Sequence, residues 1–270
     1  MKPISKTAFY CCGIRMVDAE SPQSVCGDIY AKRFMNEDGL RVIESFKNET
    51  KGNASNVARH RIIDDILRQS LKENPKTSVV IIGCGFDSRA YRLTGGIWFE
   101  LDEPEVIAYK NERLPVSECR NALRRIAIDF SSDSLRQKLA GLGIALPVIV
   151  VIEGVFVYLT EAQINQLLHT LRAVWPRHEL VCDLMTQRFF DKYTQTAHEK
   201  IKALGAQFVF TVDDHEEVFH AVGYERVERH SIVERAIELG TLKIPRIIVR
   251  FFLRSLADGY LVYVFEPGQQ

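Results

Sequence analysis

From residue 78 onward the chain alternates short, mostly apolar runs with segments of three- and four-residue apolar spacing. Val79 to Ile82 is apolar at every position, as in a strand buried on both faces. Strand-like runs follow at 97–101, 124–128, 147–152 and 179–184, mostly apolar but carrying charges such as Glu100, Arg124, Arg125 and Asp183. Helical segments fall between them, from about Pro104 to Arg113, over 133–141 and over 161–174. Such alternation predicts a parallel sheet covered by helices. Upstream, Ile62, Ile63, Ile66, Leu67 and Leu71 mark one buried stripe of a helix over 55–71. Downstream, a polar helical region to about Leu204 and a helix around His215 to Val222 precede two strand-like stretches, Tyr224 to Val233 and Tyr260 to Phe265. The segment joining those two, 234–255, reads as largely helical. The first 52 residues mix apolar pieces with Ser, Asp, Asn and Gly, predicting short helices folded over the main domain. The expected architecture is α/β: a doubly wound, seven-stranded, mostly parallel Rossmann-like sheet in one compact unit over 53–270, with an N-terminal helical lid over 1–52.

In such sheets ligands bind outside the carboxyl ends of the strands. The first of these ends carries Gly83 and Gly85, a turn that lets a ligand approach the backbone, followed by the acid Asp87. A dinucleotide fingerprint would have a third glycine at position 88, where this chain has Ser, so the turn does not favour pyrophosphate. Asp102 closes the second strand at a place where a carboxylate can accept from two ribose hydroxyls. The third and fourth strands end at Asp129 and at Glu153-Gly154. A glycine turn with several acids on one rim suits a cationic nucleoside, S-adenosylmethionine. The bland alternatives are a tight turn in an ordinary α/β protein, with Asp129 capping a helix near Ser132 and Glu153 capping the turn after it.

Charge narrows the partners. Lys plus Arg and Asp plus Glu each number 35, so no global field draws the chain to nucleic acid. No apolar run is long enough to span a bilayer and the amino terminus has no signal-peptide core, which predicts a cytoplasmic protein without membrane partners. The six cysteines form no C-x-x-C pair and share no metal-ligand spacing with the seven histidines, so no metal is expected. No Ser-His-Asp or Cys-His arrangement lies near the motifs.

The strings V-I-I-G-C-G-F-D-S-R-A-Y-R-L, F-E-L-D-E-P-E-V-I-A-Y-K, A-I-D-F and V-I-E-G-V-F-V-Y-L-T, in this order and spacing, resemble the leucine carboxyl methyltransferase family, which includes bacterial polyketide-type O-methyltransferases. The resemblance runs from about Ser5 to Leu171. It implies a class I methyltransferase that uses S-adenosylmethionine and releases S-adenosylhomocysteine. Carried over by position, it implies a cofactor site of Arg59 for the methionine carboxylate, the Gly83-Cys84-Gly85 turn with Asp87, Asp102, Asp129 with Phe130, and Glu153. Cys84 stands where the family usually has Ala, a small apolar exchange. Without the resemblance Arg59 reads as a solvated residue or a partner of Asp64 or Asp65. The resemblance also puts Tyr158 near the transfer site, with Arg89 beside the cofactor motifs as a second catalytic candidate. A carboxylate acceptor is ionised at neutral pH and needs a cation rather than a base; Lys6, Arg15 and Arg92, with Arg89, are the candidates. The expected activity is O-methylation of a carboxylate or hydroxyl on a small, possibly polyketide-like metabolite by a monomer or homodimer. A protein C-terminus as acceptor, a silent cofactor binder and a nucleotide-dependent oxidoreductase are the competing readings.

Overall fold

The computed structural model describes residues 2–144, 147–245 and 254–268. Its strands are β1 (Ser78–Ile82), β2 (Ile97–Asp102), β3 (Ala122–Ala127), β4 (Val148–Ile152), β5 (Glu179–Met185), β6 (Tyr224–Ser231) and β7 (Tyr260–Pro267). They form one seven-stranded sheet in the order β3-β2-β1-β4-β5-β7-β6. The first five run parallel, and β7 inserts antiparallel between β5 and β6. The chain leaves β1 for β2 and β3 on one side, then crosses to β4 on the other. The order therefore reverses between β1 and β4, where a crevice opens at the strands' carboxyl ends.

Both flanking strands are buried throughout, which is why their sequences are apolar without alternation. Val80, Ile82, Val150 and Ile152 pack on one face, together with Ile164, Leu168 and Leu171 of helix Glu161–Val174. Val79, Ile81, Ile149 and Val151 pack on the other, against Ile62, Ile63 and Leu67 of helix Thr50–Glu73. The predicted helix at 55–71 thus begins five residues earlier. Its first turn carries no apolar stripe because Asn53 is held by polar bonds instead, accepting from the Tyr10 hydroxyl and donating to the Phe46 carbonyl.

The amino-terminal segment is helical but less fragmented than expected. A helix spans Pro3–Ala19, and shorter ones span Ala31–Phe34 and Glu37–Ser45. Tyr10 stacks on Phe46 with ring centroids 3.9 Å apart, and Phe9 packs on Phe86 next to the glycine turn. The polar region before Leu204 is two helices, Gln187–Tyr193 and Gln195–Ala203, interrupted where the Thr194 hydroxyl bonds to the Phe190 carbonyl. β6 stops at Ser231 rather than Val233, because the Ser231 hydroxyl caps the helix Ile232–Glu238 by accepting from the Glu234 N–H. Within the helical expectation for 234–255, residues 246–253 lie outside those described. Among the described residues no helix is long and apolar enough to cross a membrane.

A buried histidine makes the fold acid-sensitive. The His178 ring bridges the Trp175 carbonyl (2.7 Å) and the Tyr224 hydroxyl (3.0 Å), and burial lowers its pKa to about 4. The unfolded chain binds this proton near pH 6.5 and the native one only near 4, so stability falls as pH drops through that window and is unaffected above it. Urea melts at pH 7 and pH 5 should show the lower stability at pH 5, and His178→Gln should flatten the difference.

Candidate functional site

A cavity of about 1130 Å³ opens over the carboxyl ends of β1, β2 and β4, beneath the first helix. Small-molecule sites occupy about 300–1,000 Å³, so it has room for a nucleoside and a second reactant. On one side lies the turn after β1. Gly83 has φ +70° and Gly85 φ +45°, left-handed values that favour glycine. A Cβ on Gly83 would lie 2.6 Å from Cγ2 of Val155, and one on Gly85 would lie 3.2 Å from the Ala8 methyl of the first helix. Gly83→Ala should therefore cost about 1–3 kcal/mol in a denaturant melt and weaken nucleoside binding, since Val155 is too stiff to yield.

Asp102 ends β2 beside this turn. Its two carboxylate oxygens accept from the backbone N–H groups of Gly85 (2.6 Å) and Glu103 (2.7 Å), which fix the side chain against the turn. Burial pushes its carboxyl up, and the two N–H donors partly offset that. Each oxygen keeps a lone pair for a ligand hydroxyl.

Across the cavity stands Arg59, from the helix Thr50–Glu73, and its partners are neither Asp64 nor Asp65. Nε donates to Glu153 (3.0 Å), and Nη1 donates to Asp183 (3.2 Å) and to the Tyr260 hydroxyl (2.5 Å). Among the described residues Nη2 meets only the Cys11 thiol, at 3.8 Å. The same nitrogen would lie 3.2 Å from a Cβ on Gly154, whose φ of +66° and missing side chain leave it room.

Glu153 is not a free acid. Arg89 reaches it at 2.8 Å and His60 at 3.2 Å, besides Arg59. Burial opposes its ionisation, but Arg89, with His60 and Arg59, holds its carboxyl well below the usual range. Arg89 is fully buried and does not line the cavity. It ties Glu153 to Asp87 (2.5 Å) and Asp64 (2.7 Å), and its Nη2 donates to the His60 carbonyl (3.0 Å). His60, Asp87 and Glu153 bring potential ligand atoms within 4.8 Å of one another, yet Arg89 already supplies their positive charge.

The other sequence candidates divide. Gly83, Cys84, Gly85, Asp87, Phe130 and Tyr158 line the cavity. Tyr158 packs edge-on against Phe208, and burial raises its pKa, keeping the phenol protonated. Asp129 lies outside the lining. It accepts from the N–H and hydroxyl of Ser131 and pairs with Lys2 (3.1 Å), while the helix Leu135–Ala140 is capped by Ser134 instead. Lys6 is exposed and outside the lining. Arg92 is buried on Asp64 (2.7 Å), also outside. Arg15 lines the cavity but is committed to Asp28 (2.9 Å) and to the Phe86 carbonyl (2.8 Å).

Sequence reasoning missed His60, Asp183 and Tyr260. The signal for Asp183 was present: it is a lone acid inside the apolar run L-V-C-D-L-M at the end of β5, where a parallel sheet presents its ligand edge. Tyr260 sits on the antiparallel β7 and gave no signal.

The model of the leucine carboxyl methyltransferase family matches residues 8–172, more than half of the chain. An S-adenosyl-L-methionine-dependent methyltransferase of Gibberella zeae is 26% identical over 244 residues, covering 84% of this chain and 81% of that one. A putative enzyme of the same description from Streptomyces coelicolor is 26% identical over 220 residues, 73% of each. The crystal structure of a putative methyltransferase from Thermobifida fusca shares the fold, with a TM-score of 0.60, 13% identity and coverage of 87% of this chain and 90% of that one.

Proposed function

Because the chain belongs to the leucine carboxyl methyltransferase family and is an S-adenosylmethionine-dependent methyltransferase, we propose that the cavity seats this donor between Asp102 and Arg59 and that the chain methylates an oxygen of a small, largely apolar acceptor. The observation that carries this reading is the pairing of two fixed, opposite charges across one cavity. Asp102 is locked onto the glycine turn, and Arg59 presents Nη2 from the far side.

The donor supplies an electrophilic methyl group on a sulfonium. Asp102 accepts hydrogen bonds from the ribose hydroxyls, the side-chain-free turn lets the nucleoside lie on the backbone, and Phe130 flanks the base. Nη2 of Arg59 takes the methionine carboxylate. Glu153, with its charge matched by two guanidiniums, holds Arg59 rather than the cation itself. Arg89 acts through Glu153 and is a positioning residue.

Tyr158, Phe189, Tyr193, Phe208 and Phe210 give the remaining space an aromatic wall that excludes water and aligns the acceptor. The protonated phenol of Tyr158 is suited to orient an acceptor oxygen. No histidine lines the cavity among the described residues. That favours an acceptor already ionised at neutral pH, a carboxylate, over a hydroxyl that needs a base. The test is methyl transfer from isotopically labelled donor to a panel of aromatic acids and phenols. An alkali-labile product that releases methanol marks an ester and fits the reading. An alkali-stable ether overturns the carboxylate as acceptor, and transfer to nitrogen or carbon contradicts oxygen methylation altogether.

A further inference from the structure

Resting on the assignment of Arg59 to the methionine carboxylate, we infer that Asp183 and Tyr260 are positioning residues that aim this arginine and so set the affinity for the amino-acid end of the donor. Asp183 lies near the end of β5, and its two oxygens face different duties. One accepts from the Gly154 N–H at 2.6 Å, pinning the turn after β4. The other accepts from the Tyr260 hydroxyl at 2.7 Å and from Nη1 of Arg59 at 3.2 Å. The Tyr260 oxygen in turn accepts from the same Nη1 at 2.5 Å, closing a triangle of one donor nitrogen, one hydroxyl and one carboxylate oxygen.

With Nε on Glu153 and Nη1 inside this triangle, the guanidinium plane is fixed at two of its three nitrogens. Nη2 is the one left turned to the glycine at 154, the same glycine whose N–H Asp183 holds. One carboxylate therefore sets both the arginine that recognises and the turn that makes room for it. Tyr260 is 8% and Asp183 6% exposed, so neither is a solvated surface group that happens to touch Arg59. Burial pushes the Tyr260 phenol far above its ordinary range, and it stays a donor to Asp183 at any working pH. The contact also gives the antiparallel strand β7, remote from the glycine turn in sequence, a part in donor binding.

The test compares two ligands on the full chain by calorimetry: S-adenosylhomocysteine, which has the amino-acid end, and 5′-methylthioadenosine, which lacks it. Tyr260→Phe removes the hydroxyl without opening a cavity. It should weaken S-adenosylhomocysteine about tenfold while leaving methylthioadenosine within about twofold. Asp183→Asn should act in the same direction. In an Arg59→Ala background Tyr260→Phe should add nothing, since the two belong to one unit. Equal losses for both ligands, or an additive loss in the double variant, would mean a merely structural role and overturn the inference. Were Arg59→Ala selective for S-adenosylhomocysteine and Tyr260→Phe silent, the inference alone would fall. Were Arg59→Ala unselective, the assignment of Arg59 to the carboxylate would fall with it.

Discussion

Asp102→Ala should weaken S-adenosylhomocysteine binding about 100-fold or more in a calorimetric titration. Two hydroxyl bonds to a buried carboxylate contribute about 1.5–3 kcal/mol each, so their joint loss is about 3 kcal/mol at the least, and each 1.4 kcal/mol is about tenfold. The substitution also strips the Gly85 and Glu103 N–H groups of their acceptor, so the turn that shapes the nucleoside site loosens as well. Asp102→Asn is the informative companion. It keeps the volume but offers one acceptor oxygen where two N–H groups now bind, and it should fall between parent and alanine. Since burial raises the Asp102 pKa and the ribose bonds need the ionised form, affinity should decline on acidification from a higher pH than an ordinary aspartate would give. An alanine variant that binds as the parent does would move the ribose elsewhere.

Arg89→Met should destabilise the whole chain rather than slow one chemical step. The guanidinium is fully buried and contacts Asp64, Asp87 and Glu153, so its removal leaves the buried Asp87 without its ion-pair partner and weakens the pairing of Glu153 and Asp64, which keep Arg59 and Arg92. Breaking a buried ion pair on one side costs about 3–5 kcal/mol, a large share of the 5–15 kcal/mol that holds a typical domain together. Burial disfavours the charged form of Asp87 and Asp64, and Arg89 is a main reason that both stay ionised. In the variant their carboxyls should rise and take up protons. Urea unfolding should show a midpoint far below that of the parent, and the gap between the two should narrow as pH falls toward 5, because protonation relieves the buried carboxylates of the variant while His178 destabilises both proteins alike. A parent-like midpoint with activity lost would instead return Arg89 to direct participation in catalysis.

The sheet was legible because its signal is periodic and local. β1 after Ser78 and β4 throughout are apolar since both faces are covered, and the glycines and Asp102 mark the ligand edge by residue type and order. The division of labour among the charged groups was not legible. Arg59 could be recognised, but its partners come from the turn after β4 and from β5 and β7, up to 201 residues away, and no spacing encodes such contacts. The same distance hides which arginines are spent. Arg15 and Arg92 read as free cations near the motifs, while the fold gives each a buried aspartate, Asp28 and Asp64. Asp129 shows the converse limit. It has the expected type at the expected strand end, yet two bonds from neighbouring Ser131 and one from Lys2, 127 residues away, hold its carboxylate outside the cavity.

A crystal structure of the protein with S-adenosylhomocysteine tests the donor site most directly. Density should place the two ribose hydroxyls on Asp102 and the amino-acid carboxylate on Nη2 of Arg59, above the Gly83–Gly85 turn. Ligand density anywhere outside that cavity, or in it with the carboxylate turned away from Arg59, would contradict the placement.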